Sequence, residues 1–195
     1  MCSWCWGFES TRAKLFAALE GRVRIRRMLG GLAPDSEVPM PEPMRIGLQQ
    51  TWQRIQQVIP GTQFNFSFWT DCQPRRSTYP ANRAVLAARA QGEECDPLMT
   101  ARIQRAYYLE ARNPSDNETL VDLAADIGLD VERFERDLLD EATHESLLAE
   151  IQATRALGID SFPSLAVESG GRLAHIGLNY TDAGAMLAQV EASIE

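Results

Sequence analysis

The stretch Met1-Cys2-Ser3-Trp4-Cys5-Trp6-Gly7-Phe8 decides how the rest of this chain is read. Two thiols separated by two residues, at the start of a predicted helix, can close into a small disulfide ring and reopen by exchange with a substrate. Cys2 falls where the helix offers unpaired backbone N–H groups and the positive end of its dipole, and both favour thiolate over thiol. Cys5, one turn later, is expected to be more buried and to attack a mixed disulfide, releasing product. The alternative for a bare Cys-x-x-Cys pair is half of a zinc site. Such a site wants four ligands, and the other candidates, Cys72, Cys95, His144 and His175, show no paired spacing. The redox reading is the better one, and no metal is expected.

Working outward, Phe8, Leu15, Phe16 and Leu19 recur at helical spacing opposite Arg12, Lys14 and Glu20, so the helix that carries the thiols continues to Gly21. Arg22 to Leu29 alternates charged and apolar residues, which predicts a strand with one face buried and its arginines solvated. A proline-rich loop follows from Pro34 to Pro43, then a helix to about Val58 in which Ile46, Trp52 and Ile55 point one way. Gln63 to Phe68 alternates strictly and predicts a second strand, its phenylalanines forming core. From Ser77 to Leu157 the pattern is almost wholly helical, with breaks that divide it into about five helices; Asp116 or Asn117 caps the third and Gly128 closes it. After Gly158 the two-residue period returns. Pro163 to Glu168 and Arg172 to Gly177 predict a hairpin turning at Ser169-Gly170-Gly171, before a closing amphipathic helix from Asp182 with Met186, Leu187, Val190 and Ile194 inward.

Composition narrows the function. The 195 residues suffice for one core plus an inserted subdomain, and a net charge of −8 argues against a nucleic-acid surface. No apolar run is long enough to span a bilayer, so no membrane partner is expected. Four cysteines are too few for a secreted disulfide scaffold. The expectation is a cytoplasmic protein in which the Cys-x-x-Cys pair is catalytic.

Five blocks together carry a resemblance: the opening Met1 to Phe8, Gly30-Gly31-Leu32, Pro74 to Ala81, Tyr107 to Ala111, and Gly158-Ile159-Asp160-Ser161-Phe162-Pro163-Ser164-Leu165. In this order they resemble the DsbA-like branch of the thioredoxin superfamily, specifically its FrnE-like, protein disulfide isomerase-like group. The resemblance spans nearly the whole chain. It implies an α/β thioredoxin-like domain formed by residues 1–76 and 158–195, with residues 77–157 as an all-helical insertion. It implies Cys2 as the attacking thiol, Cys5 as the resolving thiol, and Pro163 as a cis proline facing them. A cis Phe162-Pro163 bond would expose the Phe162 backbone beside Cys2, where an extended substrate can pair with it. Ser3 and Trp4, between the thiols, are expected to tune the dithiol through the hydrogen bonds that reach Cys2, with Trp4 also at the substrate face. One departure stands out. Members of the superfamily carry a strand immediately before the dithiol, whereas here Met1 directly precedes Cys2, so the expectation is a member truncated at its N-terminus with two strand edges left unpaired.

The implied activity is thiol-disulfide exchange with protein or small-molecule thiols and disulfides, needing no resident cofactor; a homodimer is possible on this reading. Two alternatives stay open. Glutathione-dependent 2-hydroxychromene-2-carboxylate isomerases and kappa-class glutathione transferases share the fold but place serine where Cys2 stands, although Pro80-Ala81-Asn82 resembles a motif of that branch. In that alternative glutathione is the cofactor. The other is a non-catalytic thioredoxin-like binding module. Cys72 and Cys95 could form a regulatory disulfide, but adjacent carboxylates blunt a thiol, and free thiols are the simpler reading. His144 reads as a surface residue. His175 has the better claim to face the dithiol, although a hydrogen-bonded histidine in the core or at a strand edge is the simpler reading.

Overall fold

Residues 1–194 are described here from a computed structural model. The dithiol helix comes first, as α1 (Ser3–Gly7), and runs almost without interruption into α2 (Glu9–Leu19), because Phe8 between them keeps helical dihedrals. Its apolar residues Phe8, Leu15 and Leu19 are buried. α3 (Glu42–Val58) starts with a proline in its first turn, where the missing N–H costs nothing. Trp52 and Ile55 of α3 are fully buried, but Ile46 is exposed and does not share their face. α1 crosses α3 closely at Gly7, where a β-carbon would lie 2.8 Å from Ile59 and 2.9 Å from Ile55.

Two predicted strands are absent. Gln63 to Phe68 bends instead of extending: the Asn65 side chain accepts the Ser67 N–H at 3.0 Å, and the short helix α4 (Phe68–Asp71) follows. The phenylalanines still form core, with Phe64 stacked on Trp52 at 4.8 Å between ring centroids and Phe68 buried beside it. The alternation reported packing around one tryptophan and not a pleated ladder. Arg22 to Leu29 likewise joins no sheet. It begins in turns closed by the Arg22 and Val23 N–H groups onto Leu19, and at its other end Leu29 spends its backbone groups on side chains. Its N–H donates to Glu150 and its carbonyl accepts from Thr154.

Five helices follow: α5 (Tyr79–Arg89), α6 (Cys95–Leu109), α7 (Asn117–Asp126), α8 (Val131–Leu139) and α9 (Glu141–Ala156). They enclose a core of Ala84, Ala88, Met99, Ile103, Leu120, Leu123, Phe134 and Leu138. The start of α7 differs in detail from expectation. Asp116 holds the N-cap position but makes no capping hydrogen bond, because its carboxylate pairs with Arg75 at 2.6 Å. Gly128, at φ 77°, follows α7 as the pattern requires.

The chain then forms β1 (Leu165–Ser169) and β2 (Arg172–Ile176), antiparallel, with Leu165 opposite Ile176 and Ser169 opposite Arg172. Gly170 and Gly171 both take positive φ, the conformation a two-residue hairpin needs for its twist. α10 (Ala183–Ile194) closes the fold. Its Met186 and Val190 join Phe8, Leu15, Leu19 and Ile176 in a second core, whereas Ile194 is exposed. Among the described residues no helix is long and apolar enough to cross a membrane.

Candidate functional site

The N-terminus and the turn that leads into β1 meet at Cys2. Its thiol donates to the Phe162 carbonyl at 3.1 Å, and the Phe162-Pro163 peptide bond is cis. Cys2 is the extended N-cap residue of α1, with φ −100° and ψ 118°, so the free N–H groups of the first helical turn lie beside its sulfur. Both thiols are free and half-buried.

The two sulfurs differ in acidity, and the cause is local. Cys2 is lowered to about 6, first by a hydrogen bond from the Cys5 thiol and then by the N–H groups of Cys5 and Trp4, which together outweigh burial. Cys5 is pushed well above the ordinary thiol range, because its proton is committed to Cys2 and burial disfavours its charge. One proton is thus shared by a pair that ionises at Cys2 first. Near neutral pH the arrangement offers a thiolate nucleophile with a protonated thiol one turn behind it.

The residues between the sulfurs do not both reach Cys2. Ser3 is buried and turned inward, and its hydroxyl oxygen accepts the indole N–H of Trp52 at 2.9 Å. It anchors the helix start to α3 and does not touch the sulfur. Trp4 contributes its backbone N–H, while its ring packs on Tyr180 at 5.1 Å. Tyr180 was not visible as a site residue in the sequence. It lies between Trp4 and Phe8, and its phenol is pushed up to about 12 by burial and then by the two cysteines. Only its aromatic character in the link before α10 could have marked it. Trp6 packs away from the sulfurs, stacked on Tyr108 at 5.5 Å.

The other candidates stand apart from this site. The Cys72 thiol donates to the Ala111 carbonyl at 2.9 Å and is raised by burial, then by Asp116 and Asp71. Cys95 opens α6 against the helical core and is also free. His175 is exposed, opposite Ala166 in the hairpin, with its ring beside Gly158. His144 is 3.3 Å from an Arg83 guanidinium nitrogen, and Arg83 is itself paired with Asp35. Among the described residues, no three His, Cys, Asp or Glu side chains converge in a group that could hold a metal ion.

The fold and the dithiol at a helix start together define a thioredoxin-like protein. The chain belongs to the thioredoxin family: the family model described as "Thioredoxin" matches residues 1–182. In structure it is similar to a protein from Nitrosomonas europaea described as a candidate protein disulfide isomerase, with a TM-score of 0.81, 26% identity, and coverage of 99% of this chain and 92% of the other. It is also similar to the cytosolic disulfide reductase DsbM from Pseudomonas aeruginosa, at TM-score 0.73 and 29% identity, covering 98% and 90% of the two chains. DsbM has also been solved with GSH. A 2-hydroxychromene-2-carboxylate isomerase matches at TM-score 0.63 and 16% identity, covering 98% of this chain and 89% of that one, a likeness of fold alone. Among curated proteins, the ClpXP adapter protein SpxH from Halalkalibacterium halodurans is 24% identical over 168 residues, 84% of this chain and 54% of the relative. SpxH from Bacillus subtilis is 24% identical over 169 residues, 85% and 54%. The chain spans about half the length of these curated relatives.

Proposed function

We propose that this protein is a thiol-disulfide oxidoreductase whose catalytic pair is Cys2 and Cys5. The observation that carries the reading is the acid Cys2 thiol held 3.1 Å from the Phe162 carbonyl. In the forward cycle the Cys2 thiolate attacks one sulfur of a substrate disulfide, forming a mixed disulfide and expelling the other sulfur as a thiolate. Cys5 then loses its proton, attacks the Cys2 sulfur and releases the second substrate thiolate. The dithiol has given up two electrons and become a disulfide. An external thiol pair, such as two molecules of glutathione, restores it, and in an oxidising setting the cycle runs backward. The peptide at Phe162-Pro163 is the surface on which an extended substrate pairs, with Trp4 beside it. The cytosolic disulfide reductase among the structural neighbours supports a cytoplasmic setting.

The test is insulin reduction with glutathione as electron donor, wild type against Cys2→Ser and Cys5→Ser. Turnover by wild type, none by Cys2→Ser and a trapped mixed disulfide in Cys5→Ser are expected. Undiminished turnover by Cys2→Ser rejects the reading. A second reading is favoured by the adapters among the curated relatives: a protein-binding module that does not depend on the thiols. It prevails if wild type shows no exchange and partner binding survives Cys2→Ser.

A further inference from the structure

The chain passes from α2 to the proline-rich loop through Leu29, Gly30 and Gly31, and this crossing touches both the helical block and the dithiol. Leu29 is held by both of its backbone groups: its N–H donates to Glu150 at 2.7 Å and its carbonyl accepts from the Thr154 hydroxyl at 3.1 Å. Glu150 and Thr154 stand one turn apart on α9. Glu150 is fixed in turn by Arg89 at 2.8 Å, Arg89 by Asp96 at 2.6 Å, and Asp96 pairs with Arg27 at 2.8 Å, two residues before Leu29. The next residue, Gly30, lies directly against the Phe162 ring, and a β-carbon on Gly30 would overlap three of its carbons. Gly30 is not among the residues with positive φ, so space and not backbone conformation calls for glycine here. A β-carbon on Gly31 would overlap Ile151 of α9. Phe162 is the residue whose carbonyl accepts the Cys2 thiol.

We propose that Gly30 is a positioning residue for the dithiol: it seats the Phe162 ring, and the helical block, gripping Leu29 through Glu150 and Thr154, thereby sets how the Phe162 carbonyl meets Cys2. The catalytic consequence rests on the exchange reading above; the placement of Cys2 does not. The carbonyl accepts from the thiol and repels the thiolate. Pushing it away removes a contact that favours the protonated form.

The experiment reads two quantities in the full chain: the pH midpoint of Cys2 alkylation, mapped by mass spectrometry, and the rate of reduction of an extended peptide disulfide. In Gly30→Ala the midpoint falls while peptide reduction slows about tenfold, because the pairing edge is displaced. A merely weakened fold would not move the two in this way. In Phe162→Ala the added methyl has room, so Phe162→Ala and the double variant with Gly30→Ala give the same values. Thr154→Val and Glu150→Gln shift the midpoint in the same direction by less, and they decide the matter if Gly30→Ala does not fold. Equal shifts from Gly30→Ala with and without the Phe162 ring overturn the proposal, as do wild-type midpoints throughout. If the wild type reduces no disulfide, the exchange reading fails while the midpoints still decide this one.

Discussion

In the five-helix block, Ala84, Ala88, Leu120, Leu123, Phe134 and Leu138 are each at 0% exposure, whereas along the hairpin only Ile176 is buried. The block's core is enclosed by its own helices, with Met1 and Leu29 packed against it from outside. The hairpin is covered on one face by α10 and α2, and all of its strand residues except Ile176 remain half-buried or exposed. Stability and reactivity are therefore housed separately: a dense helical core holds the shape, and a thinly covered end leaves Cys2 and the Phe162 peptide within reach of a partner.

This contrast can be broken by mutation. Leu123→Ala opens a cavity in the dense core and should cost about 3 kcal/mol, against about 1 kcal/mol for Val167→Ala in the half-covered hairpin. Urea denaturation followed by far-ultraviolet circular dichroism measures both, and equal losses would erase the distinction. Asp96→Asn tests the charged seam where the helical block meets the segment from Arg22 to Leu29. Asp96 is buried between Arg27 and Arg89, so its neutralisation should cost about 2 kcal/mol, less than a fully buried pair because both arginines are partly solvated. Added salt should not reproduce that loss if the seam acts through its buried carboxylate. Ser3→Ala is a mild change. It leaves the Trp52 indole N–H without its acceptor and should cost about 1 kcal/mol; a loss no different from that of an exposed substitution such as Gln53→Ala would mean the strut contributes nothing.

The same division governs what the sequence could reveal. The helices of the block were legible where their breaks are local, as at Gly128 after α7 and Asp130 accepting the Arg133 N–H at the start of α8; the boundary at Asp140, whose carboxylate accepts the Ala142 N–H before α9, has no glycine or proline to mark it and was not legible. The hairpin was legible from Gly170-Gly171 between two apolar runs. The two mistaken strands fall where alternation had a different cause. At Gln63 to Phe68 the phenylalanines surround Trp52, and at Arg22 to Leu29 the last backbone groups are taken by side chains of α9. A two-residue period records which side chains are buried. It does not record whether another strand stands alongside to take the backbone hydrogen bonds. At the site, the dithiol was visible as a motif, and the meeting of Phe162 with Cys2 entered through a family resemblance. Tyr180 and the inward turn of Ser3 depend on contacts across the chain that no local pattern encodes.

The pH dependence of Cys2 alkylation by iodoacetamide tests the account most directly. Only the thiolate reacts, so the rate climbs as pH rises through the Cys2 value, and the account expects that midpoint near 6 with Cys5 unreactive across the same range. A midpoint at the ordinary thiol value of about 8.5, with Cys2 and Cys5 labelled together, would contradict it.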